Sequence, residues 1–252
     1  GRCDSVAEQI ERAKGRLKGK TGAEKFIAYF QSYTNTYAPV EYLETLFSEA
    51  MAQECVVALS IGTRPDCLSD EVVALLARLN RIKPVWVELG LQTIHEETAR
   101  YIRRGYPLAV YEDALQRLKA TGITVIVHVI LGLPGESREM MLSTIDYLGG
   151  THRPDGIKLQ LLHVLEGTDL ATDYRAGHFR TMEMEEYFDI LFACLERLPP
   201  DMVIHRLTGD GPKRLLLAPL WTANKKLVLN ELNRQLERRN IRQGSAYRPE
   251  KR

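Results

Sequence analysis

A chain in which short β-branched or aromatic runs alternate with longer segments of helical period has few folds open to it. Each run must find a parallel neighbour across an intervening helix. Runs of strand character occupy 26–31, 55–61, 85–91, 123–131, 157–163 and 202–207. Helical periodicity occupies 40–53, 70–80, 96–103, 110–120, 138–148 and 183–197. Boundary residues agree with this division. Pro39 sits where a first-turn proline is tolerated, Ser69 can cap a helix opening Asp70-Glu71, and Gly122 follows a helix ending near Thr121. Strand starts recur roughly every thirty to forty-five residues, a spacing that suits a (β/α) barrel or half-barrel. A doubly wound dinucleotide-binding sheet is the competitor, but no Gly-x-Gly-x-x-Gly follows the first strand.

The two ends depart from the series. The chain opens on a helical segment, 5–18, with Val6, Ile10, Ala13 and Leu17 on one face, so its strand-then-helix order begins half a unit late. A last helix is expected over 218–239, and Leu215, Leu216, Leu220, Leu227, Leu229, Leu232 and Leu236 give this end an apolar face suited to sealing a barrel. The expected division is a barrel core over 1–212 and a helical, basic extension over 213–252.

With 44% hydrophobic and 27% charged residues among 252, the chain can bury a substantial core and is neither disordered nor collagen-like. No apolar run approaches the ~20 residues of a membrane-spanning helix, so no membrane role and a cytoplasmic location are expected. Cys3, Cys55, Cys67 and Cys194 are scattered, which spells neither a disulfide framework nor a Cys-x-x-Cys knuckle. The net charge of +1 is unevenly spread: 225–252 carries +6, 1–20 carries +3, and the body between them is acidic. Basic ends are ordinarily solvated helix faces; they also suit a phosphate-bearing partner.

In a parallel barrel the carboxyl ends of the strands converge on one mouth, so function is read there. Five such ends are unusually polar. They are Gln31-Ser32-Tyr33-Thr34-Asn35-Thr36-Tyr37, Thr63-Arg64-Pro65-Asp66, Glu88-Leu89-Gly90-Leu91-Gln92-Thr93, His128 through Leu133-Pro134-Gly135-Glu136, and His163 through Gly167-Thr168. Singly each has a plain explanation: Leu-Pro-Gly-Glu makes a turn into a helix with Glu136 at its positive end, and a strand histidine such as His128 is usually a satisfied core residue. Their occurrence in strand order is what points to a site.

This order, with Arg104-Gly105-Tyr106, Lys158, Gly167-Thr168-Asp169-Leu170 and His205-Arg206 through Asp210-Gly211-Pro212, resembles the radical S-adenosylmethionine superfamily. Within it, the resemblance is closest to the radical domain of the Elongator catalytic subunit and to short stand-alone bacterial relatives. It implies a partial (β/α) TIM-like barrel, S-adenosylmethionine and a [4Fe–4S] cluster as cofactors, and a reductant such as flavodoxin or ferredoxin. It also implies an unassigned substrate, with transfer RNA as a candidate. By the same resemblance Gln31, Ser32 and Tyr33 would hold the methionine ammonium and Arg104 its carboxylate. Glu88 and Gln92 would hold the ribose hydroxyls, Gly132 would admit the adenine to the backbone, and His128 and Lys158 would face the substrate.

The family ligates its cluster with closely spaced cysteines after the first strand, and no such motif stands in this sequence. The expectation is therefore that the first strand and the cluster ligands lie upstream of Gly1, with Gly1-Arg2-Cys3-Asp4 a remnant just downstream of them. The acetyltransferase domain of the Elongator subunit has no room in the about forty residues after Pro212, so no acyl-CoA reaction is expected. Two other readings stay open: a metal-free barrel lyase or aldolase using Lys158, and a cluster-free binding or assembly protein using the basic ends.

Overall fold

The computed structural model describes residues 4–17, 21–31, 33–150, 153–209 and 211–249. Gly1, Arg2, Cys3, Ser32 and Asp210, named above, and residues 18 and 251–252 of the ranges given there lie outside the described residues.

The chain runs α1 (Val6–Leu17), β1 (Phe26–Phe30), α2 (Val40–Ala52), β2 (Val56–Thr63), α3 (Asp70–Asn80), β3 (Val85–Gln92), α4 (Glu96–Tyr101), α5 (Leu108–Ala120), β4 (Thr124–Leu131) and α6 (Arg138–Gly149). It continues through β5 (Gly156–Leu161), β6 (Val164–Leu165), α7 (Asp169–Arg175), α8 (Met184–Arg197), β7 (Val203–Arg206), β8 (Leu216–Ala218) and α9 (Lys225–Arg238). Six strands form one sheet in the order β1-β2-β3-β4-β5-β7, and β6 and β8 form a separate antiparallel pair. The β1/β2, β2/β3 and β5/β7 pairs are parallel, as expected of strands joined through helices. Among the described residues no helix is long and apolar enough to cross a membrane.

The chain divides into two compact units, Gly1–Gly90 with Ala109–Ile126, and Leu91–Leu108 with Val127–Arg252. In the first, Phe47, Leu59, Ile61, Leu75 and Leu76 are fully buried, and Phe30 meets Phe47 edge-on at 5.1 Å. Ser69 caps α3 by accepting from the Val72 amide. Lys83 closes the opposite end of this unit: its ammonium donates to the carbonyls of Met51, Gln53 and Val56, at 2.5, 3.1 and 2.7 Å. In the second unit Ile145, Ile157, Leu159, Tyr187, Phe188 and Leu191 form the buried centre, and Tyr187 donates its hydroxyl to the Leu207 carbonyl.

The carboxyl-terminal region differs from expectation. In place of one helix over 218–239, β8 ends at Ala218, a short 3-10 turn spans Leu220–Ala223, and α9 starts at Lys225. Proline 219 cannot donate a backbone hydrogen bond, and Asn224 caps the helix by accepting from the Leu227 amide, which sets the later start. Its buried face is Val228, Leu232 and Gln235, whereas Leu215, Leu220, Leu227 and Leu229 are exposed. The apolar stripe read from the leucines is thus rotated from the one that packs. Two short elements were not assigned from the sequence: α7, opened by Thr168 accepting from the Ala171 amide, and the β6/β8 pair.

Candidate active site

Strand β3 ends in a sharp bend. Gln92 has φ +67°, and the Thr93 amide donates to the Leu91 carbonyl across it at 2.9 Å. A bond from residue i+2 back to residue i around a positive φ is the strained form of γ-turn, which a side chain other than glycine occupies at a cost of about 1–2 kcal/mol. The Gln92 side-chain oxygen is shielded from solvent and has no hydrogen-bond partner among the described residues. A strained backbone carrying an unsatisfied acceptor is the mark of a ligand position.

The bend is held by Arg104. Helix α4 stops in a reversal where the Arg103 amide donates to the Arg100 carbonyl and the Arg104 amide to the Ala99 carbonyl, with Arg103 at φ +55°. This is the glycine-type helix ending built with an arginine in the left-handed position. Arg103 itself is exposed and pairs with Asp169, while the next residue is carried inward. The Arg104 side chain is 2% exposed and donates from Nη1 to the carbonyls of Leu91 and Thr93, at 3.3 and 2.6 Å. Its Nε donates to the Tyr106 carbonyl and its Nη2 to Glu96, whose same oxygen receives the amide of Leu108 at the start of α5. The Tyr106 ring lies 5.1 Å from the guanidinium carbon. The two carbonyls flanking Gln92 therefore answer to one guanidinium.

Thr93 is braced from a second direction. Its hydroxyl donates to Glu136 at 2.5 Å and accepts from the His95 amide at 3.1 Å. Burial pushes the Glu136 carboxyl above its ordinary value, against the lowering effect of the Thr93 hydroxyl. Glu136 was read as an acid at the positive end of a helix. In the structure Ser137 is the cap of α6, accepting from the Met140 amide, and Glu136 serves the end of β3.

Of the other expected residues of this unit, Gly132 follows the end of β4, whereas His128 and Lys158 lie within β4 and β5. Gly132 has φ +83°, its amide lies 3.2 Å from the Met141 sulfur, and a Cβ there would stand 3.4 Å from the Met182 sulfur. A Cβ would thus find ordinary contact with Met182, and it is the positive φ that favours glycine here. His128 Nδ1 and the amide nitrogen of Gln160 are 3.3 Å apart. Lys158, 7% exposed, lies two residues from Gln160 on β5 and so on the same face. Gln160 was missed by the sequence reading.

In the first unit, Glu88 is 4% exposed and receives the hydroxyls of Tyr29 and Ser60, at 2.8 and 2.7 Å. Tyr29 and Ser60 are register partners of β1 and β2, so this carboxylate collects donors from two neighbouring strands. Pairing register set that row, and no single-strand pattern could have disclosed it. Gln31 and Tyr33 are exposed, Tyr33 with φ +64°. The loop behind them is tied by Asn35, whose amide donates to the carbonyls of Phe30 and Gly62.

Among the described residues no group of three or more His, Cys, Asp and Glu stands close enough to hold a metal ion. Cys55 precedes β2, Cys67 ends a 3-10 turn and Cys194 is buried in α8. Burial raises the thiols of Cys67 and Cys194, the latter to about 12, which disfavours the ligating thiolate. The described residues do not fit an iron–sulfur cluster. The Gln92 oxygen remains a buried acceptor without a partner among the described residues.

Residues 4–148 match the family model of the Radical SAM superfamily. The chain belongs to that superfamily. Residues 154–238 of this radical SAM protein match the Radical_SAM C-terminal domain. It is 43% identical over 246 residues to YtqA of Bacillus subtilis, covering 98% of this chain and 76% of that protein. A tRNA uridine(34) acetyltransferase of Methanocaldococcus infernus is 30% identical over 199 residues, 77% of this chain and 36% of that protein. The solved archaeal Elp3 from Methanocaldococcus infernus superposes with a TM-score of 0.80 at 23% identity, over 94% of this chain and 60% of that one. The fold is thus the partial (β/α) barrel of radical SAM proteins, as the strand spacing and the motif order had led us to expect.

Proposed function

We propose that this radical SAM protein acts in an enzyme that binds S-adenosylmethionine at the end of β3 and works on RNA. The observation that carries the reading is the match of residues 4–148 to the superfamily, and the Gln92 bend supports the location. With S-adenosylmethionine and a reduced [4Fe–4S] cluster bound, the family's chemistry is release of a 5′-deoxyadenosyl radical. The part played by this chain's own residues is recognition. The Gln92 amide would exchange hydrogen bonds with ribose hydroxyls, and Gly132 would let an adenine edge approach main-chain groups once Met182 yields. His128, held against Gln160, and Lys158 would face the substrate. In the other unit Glu88, Gln31 and Tyr33 are carried as ligand candidates, with Glu88 supplying a charge that favours a sulfonium.

An RNA substrate is supported by the transfer-RNA-modifying relative and by the basic ends of the chain. We place the barrel core in 1–212 and an extension in 213–252, where Lys225, Lys226, Arg238 and Arg239 lie. The test is anaerobic purification of the protein as it occurs in its cell, followed by reduction in the presence of S-adenosylmethionine. Release of 5′-deoxyadenosine is expected, and its absence from a cluster-loaded sample overturns the reading. Binding to transfer RNA should weaken steeply with salt and weaken further when the four basic residues are neutralised.

A further inference from the structure

We propose that Arg206, at the end of β7, anchors an anion subsite that takes a phosphate group of the substrate. Five other described arginines are not exposed, and each holds a carboxylate: Arg64 with Asp66, Arg104 with Glu96, Arg117 with Asp113, Arg153 with Asp201 and Arg197 with Asp146. Arg206 is half-buried and has no hydrogen bond or ion pair among the described residues. A guanidinium withdrawn from water without a partner is costly to keep. Its planar fork of donors is the match of an oxyanion.

The strand that carries Arg206 is built to bring it beside Lys158. In the parallel pair of β5 and β7, Ile157 stands opposite Ile204 and Lys158 opposite Arg206, so β7 has one residue more than β5 between the two pairs. Such a bulge is rare between parallel strands, and it re-aims the side chains next to it. Without it Lys158 would lie opposite His205, and Arg206 would lie opposite Leu159 on the other face. Gly156 leaves room for the bulge: a Cβ there would stand 2.7 Å from the His205 ring and 3.0 Å from the Val203 carbonyl oxygen. As built, Arg206 shares a face with Lys158 and, two residues further along β5, with Gln160. Neither β5 nor β7 contains an aspartate or glutamate. A guanidinium fork, an ammonium and a carboxamide on one face are donors suited to the several oxygens of one phosphate.

That the phosphate belongs to RNA rests on the reading above; that Arg206 takes an oxyanion does not. Two measurements on the protein as it occurs in its cell separate them. In protein carrying isotope-labelled arginine, the Arg206 Nε resonance, assigned by its loss in Arg206→Met, should move on titration with inorganic phosphate. A resonance indifferent to phosphate overturns the proposal. Arg206→Met keeps most of the side-chain stem and has no partner to lose, so it should melt no lower than the parent; a variant that melts lower or does not fold gives Arg206 a structural role and ends the proposal. The second measurement is equilibrium binding of transfer RNA, which Arg206→Met should weaken about tenfold. Equal binding by parent and variant overturns the assignment of the phosphate to this arginine. If the parent binds no transfer RNA, the RNA reading fails, and the phosphate titration still decides whether Arg206 anchors an anion subsite.

Discussion

Two strand ends of this protein carry a residue of positive φ in opposite surroundings. Tyr33, after β1, has φ +64° and is wholly exposed. Gln92, at the end of β3, has φ +67°, with the next residue, Thr93, fully buried and the bend held by a buried guanidinium and a half-buried carboxylate. The first is a fully exposed side chain, so no buried packing depends on it. The second is ordered by its own buried bonds, so a ligand bound there would not have to order the chain again. Positive φ is cheap where the residue is exposed and persists in the interior only where buried bonds enforce it.

The sharpest way to break this contrast is Arg104→Ala. It strips the buried Thr93 and Tyr106 carbonyls of this donor, while Leu91 keeps the Thr93 amide and Glu96 the Leu108 amide, and should cost about 3 kcal/mol in urea unfolding. A loss below about 1 kcal/mol would place the brace among the weak surface pairs. Thr93→Val removes the hydroxyl that links His95 to Glu136 and should cost about 1–3 kcal/mol by the same measurement.

Glu136→Gln sharpens the comparison through pH. Burial holds the Glu136 proton above the carboxyl's ordinary value of 4.5, so the folded state binds that proton more tightly than the unfolded chain. Its contribution is fully present in acid and is lost as pH rises from about 4.5 through the raised folded value. Glutamine keeps an acceptor for Thr93 and cannot ionise. Thermal melts across that range should therefore show a flatter profile for the variant, with stability at pH 7 no lower than the parent's. A profile that stays parallel to the parent's would assign the pH dependence elsewhere. Smallest of all, Tyr33→Ala should leave unfolding unchanged within about 0.5 kcal/mol, as for a residue without buried contacts.

Much of the fold was legible because its signals are local. Helix α3 was bounded by Ser69 and its acidic first turn, and β4 by its β-branched run, so both were read to within a residue. The carboxyl-terminal helix was misplaced because leucines near 215–220 extend a helical stripe on paper, whereas Asn224 and Pro219 decide where a helix can begin. The site was legible as residue types and not as roles. Gln92 and Arg104 were singled out, but that one guanidinium spans both carbonyls around the other depends on the reversal at Arg103, a left-handed arginine that the sequence does not announce. The row joining Tyr29, Ser60 and Glu88 depends on strand register, which a single strand does not encode.

Lys83 supplies a counterpart to that guanidinium. Three carbonyls converge on its single nitrogen, a tripod that a tetrahedral ammonium can fill and a flat fork cannot. At Arg104 the acceptors are spread around a planar group with separate donors, and a point charge could reach only some of them. Exchange of the two basic residue types would thus be harmful at both places for contrary reasons, so charge by itself specifies neither position.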